Sequence, residues 1–491
     1  MKKLKNYING EWVDPPGASY IDVENPSTGE TIAQVPLTSR EETKRAIETA
    51  HKAYLSWKDV PVSRRVNYLF RLLNLLEAEE ETVSRILVEE MGKSLPDARA
   101  ELKRIFENVE VACGMPVLQQ GDKLIGCSFD MDAEVIRLPL GVFGMVAPFN
   151  FPAMVPFWFL PYAIASGNSF IVKASKQVPC TMNFIAGLID KIKLPPGVFT
   201  LLNGDKNVAD AMAEHPLVKG ISLVGSTPTC IELAKKCAAL GKRFQGMGGA
   251  KNHLVVMGDA PVSDTIRNMI TSCYGCAGQR CMAASAIVCV GESTYNSIVS
   301  EFIAASKQVI TTNPLDPKVS GEDMVMGPVI SAKSKEFILS MIETGVKEGA
   351  ELLLDGRNIK VPGYEKGHFV GATVFGNVKP GMKIHSTEIF GPVVSIMKVK
   401  TLDEAIKIIN DHQYGNGASI YTQNGYYARK FKVEVNAGMI GINVGIPAPV
   451  AYLPFGGMKN SQFADIKAQG KAVINFFTED KIITERFWKE E

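Results

Sequence analysis

One cysteine of this 491-residue chain stands in a setting suited to nucleophilic chemistry. Cys281 lies in the stretch Ala-Gly-Gln-Arg-Cys-Met-Ala, directly after Arg280 and close to a glycine. A thiol attacks as its thiolate, and an adjacent guanidinium lowers the cost of that negative charge. Because a lone cysteine is more often a small buried core residue, the neighbouring motifs must decide between the two interpretations.

An asparagine in a rigid setting is a suitable partner for such a nucleophile. Asn150 follows a predicted strand in the run Ala-Pro-Phe-Asn-Phe-Pro. Its side-chain amide can donate to an oxyanion, as can the backbone N–H of Cys281. Taken alone, an asparagine here would more simply satisfy a turn.

Three further segments have features of a dinucleotide site. Gly225 and Ser226 end a predicted strand and open a helix, whose N-terminus favours a pyrophosphate. Lys173 follows another predicted strand, from which its ammonium can reach ribose hydroxyls. Glu388 and Phe390 lie in a short loop before a strand, where a carboxylate can hold a nicotinamide ribose. Each feature is weak by itself, and the sequence lacks the Gly-x-Gly-x-x-Gly fingerprint of ordinary Rossmann sites.

Length and composition narrow the class of protein. The length predicts two to three domains, and 46% hydrophobic with 21% charged residues indicates a soluble globular chain. A net charge of +1 gives no electrostatic reason to expect nucleic acid or a membrane as partner. Nine scattered cysteines without a signal peptide indicate free thiols in a reducing cytoplasm. Cys273 and Cys276 form a lone C-x-x-C without a second pair, so we expect no metal site.

The hydrophobic pattern predicts helices over residues 40–113, followed by two successive α/β domains with parallel sheets. The first series of predicted strands is 142–147, 169–172, 199–202, 221–224 and 254–257, and the second is 286–290, 351–354, 393–399, 418–422 and 441–444. Residues 119–138 and the tail near 472–484 look β-rich and fit neither sheet. Projecting strands of this kind often pair between subunits, so they predict a small oligomerisation element.

In order and spacing these motifs resemble the aldehyde dehydrogenase superfamily, from about Asn6 to Ile483. The resemblance implies an NAD(P)-binding domain at 1–118 and 139–247, a catalytic domain at 248–458, and the oligomerisation element at 119–138 and 459–491 of a homodimer or homotetramer. It implies hydride transfer to a nicotinamide from a thiohemiacetal on Cys281, leaving a thioester. The cofactor-binding residues it implies are Phe149, Lys173, Lys176, Gly225, Ser226, Glu388 and Phe390.

One departure from the family pattern concerns release of the acyl group. Hydrolytic members carry a glutamate in Glu-Leu-Gly-Gly-Lys that activates water, and Met247 stands at that position here. A thioether takes up no proton at neutral pH, so hydrolysis of the thioester should be slow. A thiol such as coenzyme A is a better nucleophile and needs less help. The stretches Gly-Gln-Arg-Cys-Met-Ala, Gly-Ala-Lys-Asn-His, Phe-Asn-Phe-Pro-Ala-Met-Val-Pro and Tyr-Gly-Asn-Gly-Ala independently resemble the CoA-acylating methylmalonate-semialdehyde dehydrogenases.

Two arginines are implied to recognise the substrate in that group. Arg280 precedes the nucleophile, and Arg104 points away from the apolar stripe of its predicted helix, where it can equally be a solvated surface residue. Two guanidinium groups can clamp a carboxylate bidentately. The expected reaction converts methylmalonate or malonate semialdehyde to propionyl-CoA or acetyl-CoA, with loss of the β-carboxylate. The alternative is a dehydrogenase of succinate semialdehyde or a sulfonated aldehyde, acylating or hydrolytic.

Two more departures concern the cofactor. Lys176 occupies the position where NAD-preferring relatives usually have a glutamate, so NADP is possible although NAD is the first expectation. Cys230 replaces a glycine usual in the phosphate turn, where a side chain would crowd the pyrophosphate. Two other classes stay open: a catalytically silent binding protein, and a cysteine hydrolase of thioesters. The second lacks any histidine motif tied to Cys281.

Overall fold

A computed structural model of the chain describes residues 2–320 and 324–488. The predicted domain ranges include residues 1, 321–323 and 489–491, which lie outside the described part. The strands are β1 (Lys2–Lys3), β2 (Asn6–Ile8), β3 (Glu11–Val13), β4 (Tyr20–Asn25), β5 (Glu30–Pro36), β6 (Lys123–Ser128), β7 (Met131–Pro139), β8 (Val142–Val146), β9 (Ser169–Lys173), β10 (Phe199–Leu202), β11 (Val218–Val224), β12 (Arg243–Met247), β13 (Asn252–Val256), β14 (Ala284–Val290), β15 (Ile310–Thr311), β16 (Val325–Met326), β17 (Glu351–Leu354), β18 (Thr373–Gly376), β19 (Val393–Val399), β20 (Tyr414–Gly415), β21 (Gly417–Tyr421), β22 (Met439–Ile442), β23 (Met458–Lys459), β24 (Gln462–Phe463) and β25 (Thr478–Arg486).

The helices include the segment that the periodicity predicted over residues 40–113. They are α1 (Arg40–Trp57), α2 (Val62–Ala78), α3 (Glu80–Met91), α4 (Leu95–Cys113), α5 (Met115–Leu118), α6 (Met154–Phe157), α7 (Leu160–Ser166), α8 (Cys180–Lys191), α9 (Lys206–Glu214), α10 (Thr227–Ala239), α11 (Val262–Tyr274), α12 (Glu292–Ser306), α13 (Ala332–Lys347), α14 (Lys383–Ser386), α15 (Leu402–Asp411), α16 (Gly425–Glu434) and α17 (Gly470–Phe477), with a 3₁₀ turn over Gly275–Gly278. None of the helices in the described residues has the length and hydropathy needed to cross a bilayer.

The first sheet has eight strands in the order β24-β12-β11-β8-β9-β10-β2-β3. Strands β12, β11, β8, β9 and β10 are parallel, and β24 and β2 add antiparallel pairs on either side. The chain steps from β8 to β9 and β10 on one side, then to β11 and β12 on the other. The crevice outside the carboxyl ends of β8 and β11 is therefore a topological switch point, where open α/β sheets bind ligands.

The second sheet has seven strands in the order β17-β18-β19-β14-β13-β21-β22, all parallel except β17. It contains β13, which the sequence pattern grouped wrongly with the first series, because an apolar run does not reveal which sheet it joins. Asn150, just after β8, donates from Nδ2 to the carbonyl of Gln279, which precedes β14, over 2.9 Å. The carboxyl edge of the first sheet thus adjoins the amino edge of the second.

A third sheet, β25-β7-β6, stands apart from the other two. Strand β25 pairs with β7 over nine residues, from Thr478 opposite Pro139 to Arg486 opposite Met131. The tail is only partly β-structured, because α17 occupies its first half. Val473, Ile474 and Phe477 are buried there at helical spacing. The prediction of a β-rich tail near 472–484 is therefore correct for β25 and wrong for residues 472–477, which are helical.

Helix α4 has two faces with different environments. It begins after Ser94, whose hydroxyl accepts the N–H of Asp97 as an N-cap. The predicted apolar stripe is buried in the core between α4 and its neighbours, with Leu102, Ile105 and Val109 fully inaccessible. The polar residues Asp97, Glu101 and Arg104 follow the i, i+4, i+7 rule and share another face, which lines a cavity.

Candidate active site

The loop before Cys281 has a strained backbone. Cys276 and Ala277 adopt φ angles of 52° and 53°, and Gly278 follows at 72°. Left-handed conformations of non-glycine residues cost ~1–3 kcal/mol each and persist where the surroundings enforce them. Here Asp97 accepts the N–H of Cys276 over 3.2 Å, and the Gln279 side chain donates to the Cys276 carbonyl over 3.1 Å.

The backbone of Cys281 is held from the second sheet. Its carbonyl oxygen accepts hydrogen bonds from the side-chain amides of Asn252 and Asn416, each over 2.8 Å. These asparagines stand at the amino ends of β13 and β21, which lie beside each other in the sheet. The position of Cys281, the predicted nucleophile, is therefore fixed by two strands as well as by its own loop.

The surroundings of the Cys281 thiol favour its protonated form. Burial raises its pKa to about 12, the Glu388 carboxylate adds to the shift, and the Arg280 guanidinium opposes it. The sequence predicted that Arg280 would favour the thiolate. Its charge does act in that direction, but desolvation of the thiol is the larger effect.

Arg280 is anchored by an acidic side chain of α4. Its guanidinium forms an ion pair with Asp97 in which both side chains are largely buried. Burial opposes the charged form of the arginine, but the Asp97 carboxylate together with Cys276 and Cys281 outweighs it, so that the pKa of Arg280 is raised. Burial likewise raises the pKa of Asp97, and the charges of Arg280 and Lys93 outweigh it, so that the pKa is lowered.

Arg104 and Arg280 line one cavity of about 290 Å³ together with Cys281. The structure therefore brings together the nucleophile and the two predicted substrate-binding arginines. The remaining walls are mainly apolar, with three further polar side chains, and are formed by Asp97, Ala100, Glu101, Phe151, Met154, Trp158, Met282, Ile446, Ala448, Pro449, Phe455 and Gln469. Such a cavity can hold a small molecule with one anionic end and an apolar body.

Asn150 is held by a buried ion pair that sequence reasoning missed. The Lys93 ammonium donates to the Asn150 carbonyl over 2.7 Å and to the Glu101 carboxylate over 2.5 Å. Glu101 in turn accepts the N–H groups of Ala153 and Met154 at the start of α6. The helical spacing of Asp97, Glu101 and Arg104 was the available signal, because it places three charges on one face of α4.

Glu388, Phe390 and Phe149 come together between the two large sheets. Glu388 accepts the N–H of Ala250 over 2.9 Å, and burial raises the pKa of its carboxyl to about 7. Phe390 adopts a φ of 56°, and its ring meets Phe149 edge-on at 5.7 Å between centroids. The adjacent Lys251 fixes this loop by donating to the carbonyls of Ile384 and Thr387.

Lys173 is a buried cation that forms no ion pair or hydrogen bond in the described residues, although the Asp205 carboxylate lies near enough to favour its charged form. It ends β9 with 8% of its surface exposed, and burial lowers the pKa of its ammonium to about 8. Lys176, three residues later, is exposed and close enough that its charge also lowers the pKa of Lys173. An unpaired buried ammonium beside the switch point favours an anionic or hydroxyl-rich ligand.

The phosphate turn leads from β11 into α10. Gly225 is half-buried, and Ser226 is the exposed residue that precedes the helix. Cys230 does not crowd this turn, contrary to the expectation from sequence. Its side chain is fully buried and donates from Sγ to the Met247 carbonyl over 3.4 Å, because that position of α10 faces β12.

Met247 lies at the carboxyl end of β12 and is 3% exposed. Three of the six histidines cluster elsewhere, with His253, His385 and His412 ring centroids 5.1–5.4 Å apart. His253 and His385 face each other, with their Nε2 atoms 2.9 Å apart. The residue of β13 that contacts the Cys281 carbonyl is the neighbouring Asn252 and not a histidine of this cluster. In the described residues no histidine is hydrogen-bonded to the Cys281 side chain, so this arrangement does not favour the cysteine-hydrolase alternative.

Comparisons with known proteins bear on the family and the fold of this chain. The model of the Aldehyde dehydrogenase family matches residues 12–483. Malonate-semialdehyde dehydrogenase 1 from Geobacillus kaustophilus is 42% identical over 484 residues, which is 99% of this chain and 98% of the relative. Two crystal structures at 38% identity superpose with a TM-score of 0.97 over 100% of this chain and 99% of theirs. They are a putative methylmalonate-semialdehyde dehydrogenase from Sinorhizobium meliloti complexed with NAD and a methylmalonate-semialdehyde dehydrogenase from Oceanimonas doudoroffii.

Proposed function

Because this chain belongs to the aldehyde dehydrogenase family, we propose that it oxidises a small anionic semialdehyde and transfers the acyl group to coenzyme A. The substrate is malonate or methylmalonate semialdehyde, and the product is acetyl-CoA or propionyl-CoA after loss of the β-carboxylate. One observation carries this proposal: the thiol of Cys281 shares a small cavity with two guanidinium groups. The names of the similar enzymes support the same class of substrate.

Each residue of the site has a defined role in this proposal. The Cys281 sulfur forms a bond to the aldehyde carbon after losing its proton. Asn150 and the N–H of Cys281 donate to the oxygen that becomes negative. Arg104 and Arg280 bind the substrate carboxylate and orient the aldehyde toward the thiol. After oxidation the acyl group is a thioester, whose carbonyl accepts the electron pair of the C–C bond when the β-carboxylate leaves as carbon dioxide. The enolate then takes up a proton at its α-carbon, and the thiol of coenzyme A displaces the Cys281 sulfur from the acyl group.

The residues around the switch point suit a nicotinamide dinucleotide. Lys173 and Lys176 would meet the adenosine ribose, Gly225 and Ser226 the pyrophosphate, and Glu388 the nicotinamide ribose, with Phe149 and Phe390 beside the ring. When bound, the dinucleotide supplies the hydride acceptor. The buried ammonium of Lys173 fits this assignment, since it forms no ion pair or hydrogen bond in the described residues. The NAD found in the similar enzyme from Sinorhizobium meliloti makes NAD our first choice.

Turnover is expected to depend on coenzyme A. Without a thiol, the protein should produce one burst of NADH per active site and then turn over at least ~10²-fold more slowly, because Met247 cannot act as a general base. Stopped-flow absorbance at 340 nm with malonate semialdehyde and NAD⁺ measures the burst and the steady rate. Added coenzyme A should restore steady turnover and yield acetyl-CoA.

Desulfo-coenzyme A provides the control, because it fills the same site without a nucleophilic sulfur. It should leave the steady rate low. An identical steady rate with and without coenzyme A would contradict acyl transfer and would indicate a hydrolytic enzyme.

Lys176 is expected to strengthen binding of the 2′-phosphate of NADP⁺. Replacing it by glutamate should weaken binding of 2′,5′-ADP by ~10-fold or more, since a cation is exchanged for an anion beside the ribose. Binding of 5′-AMP should change far less. Calorimetry with both nucleotides measures the ratio of their two dissociation constants. The control is Lys193→Glu, which changes an exposed lysine beyond the end of α8. Equal losses for both nucleotides would exclude Lys176 from the ribose site.

We place the enzyme in the cytoplasm as a homodimer or homotetramer. All nine cysteines are described and are free thiols, which suits a reducing compartment. The third sheet exposes large apolar side chains, including Ile125, Phe129 and Ile482, of which Phe129 is 93% exposed. Apolar groups on a projecting sheet favour burial between subunits.

The alternative is a dehydrogenase of another anionic aldehyde, such as succinate semialdehyde or a sulfonated aldehyde. The same two guanidinium groups suit a sulfonate as well as a carboxylate. Parallel assays of these aldehydes with NAD⁺ and NADP⁺, following absorbance and acyl-CoA, distinguish the two candidates.

A further inference from the structure

Glu107 forms an ion pair with Arg104 through one nitrogen of the guanidinium, Nη1. Arg104 donates from Nη1 to both carboxylate oxygens of Glu107, over 3.0 and 2.7 Å. The Nε and Nη2 atoms of Arg104 have no hydrogen-bond partner in the part of the chain that the structure describes. The carboxylate therefore leaves most of the guanidinium available, while the arginine side chain lines the cavity that contains Cys281.

The same carboxylate also contacts the cavity wall. The N–H of Ala451 donates to Glu107 Oε2 over 3.4 Å. Ala448 and Pro449, just before Ala451, line the cavity. Gln469 makes a second connection beside the first. Its side-chain oxygen accepts a hydrogen bond from the Asn108 amide, and its side-chain nitrogen donates to the carbonyls of Val450 and Leu453. Two consecutive residues of α4, Glu107 and Asn108, thus connect the helix to residues 448–453.

Arg280 provides a parallel. It is likewise held by a single carboxylate of α4, that of Asp97. An unrestrained arginine loses much rotamer freedom when it binds a ligand, whereas one already held in place loses less. A carboxylate bound to one guanidinium nitrogen can restrain the arginine in this way, while the other two nitrogens stay available to the substrate carboxylate.

We propose that Glu107 is a positioning residue that orients Arg104 toward the substrate carboxylate and fixes the adjacent wall, and so sets the preference for anionic over neutral aldehydes. This inference rests on the proposed function, in which Arg104 binds that carboxylate. The competing arrangement, in which Glu107 displaces the substrate from Arg104, predicts the opposite change in affinity.

The test is Glu107→Gln in the full-length enzyme, because glutamine keeps the size and an acceptor for the Ala451 N–H but removes the charge. The KM for malonate semialdehyde should rise about fivefold, with kcat within about twofold of the parent. The KM for propanal, a neutral aldehyde with the same number of carbons, should not change. Glu110→Gln is the matched control, since this exposed glutamate lies on the same helix and has no ion pair with Arg104 in the described residues.

A fall in the KM for malonate semialdehyde, or an unchanged preference over propanal, would overturn the role of Glu107. So would equal increases for both aldehydes, which indicate a general disturbance of the cavity. Arg104→Gln in the same assay tests the proposed function separately. If Arg104→Gln leaves the preference intact, the proposed clamp fails; if it removes the preference and Glu107→Gln does not, only the inference about Glu107 fails.

Discussion

Replacing Cys281 by alanine is expected to abolish aldehyde-dependent NADH formation, lowering kcat/KM by ~10⁴-fold or more. Without the sulfur no thiohemiacetal forms, so the substrate carbon never becomes a hydride donor. Steady-state absorbance at 340 nm measures the loss. The alanine variant should keep its fold, because Cys281 is held through its carbonyl oxygen, which alanine retains.

Trapping the acyl intermediate supplies the independent check. When the parent enzyme is quenched in the absence of coenzyme A, the acyl mass should be found on the peptide that contains Cys281. Cys127→Ala, which removes an exposed thiol on β6, should behave like the parent. Acyl mass on a different side chain, or turnover in Cys281→Ala, would refute the assignment of the nucleophile.

The positions of the chemical groups at strand ends could be predicted from sequence. Asn150, Lys173 and Gly225 all follow apolar runs that form parallel strands of the first sheet. Parallel strands place their carboxyl ends at one edge, so residues after successive runs converge. Glu388 and Cys281 precede strands of the second sheet, and the contact between the two sheets brings both sets together.

The electrostatic state of the nucleophile could not be predicted, because it depends on burial. The sequence shows that Arg280 adjoins Cys281 but not that Asp97 already neutralises that guanidinium. Nor does it show that Glu388 lies close enough to raise the pKa of Cys281 further. These partners are separated from position 281 by more than 100 residues, and only the packing of α4 and of the second sheet joins them.

The buried charges of α4 illustrate the same limit of prediction from sequence, namely that burial depends on distant parts of the chain. Asp97, Glu101 and Arg104 lie on one helical face, but a polar face ordinarily indicates solvent. Here it faces the active-site cavity, and the Lys93–Glu101 pair is fully buried beside Asn150. The error on the tail has a similar origin, since apolar residues at 473–477 suit a strand or a buried helix equally well without knowledge of the neighbouring core.

Replacing Asn150 by alanine is expected to lower kcat/KM by ~10²–10³-fold, the usual effect of removing one oxyanion donor. One amide hydrogen of Asn150 is used on the Gln279 carbonyl, which fixes the orientation of the side chain. The second amide hydrogen remains for the substrate oxygen that becomes negative when Cys281 attacks. Single-turnover NADH formation at saturating aldehyde measures this step without contributions from acyl transfer.

Asn150→Asp tests whether the side-chain N–H of Asn150 or only the shape of the side chain matters, because aspartate has the same shape but no N–H to donate. If Asn150 stabilises the oxyanion, the aspartate variant should be slower than the alanine variant, since its negative charge would face another. If Asn150 only holds the Gln279 carbonyl, the two variants should be equally slow, because both lose that hydrogen bond. The backbone around position 150 should persist in both variants, because Lys93 binds the Asn150 carbonyl rather than its side chain. An aspartate variant slower than the alanine variant, with an unchanged unfolding temperature, would therefore place the donated N–H opposite the oxygen that becomes negative in the transition state.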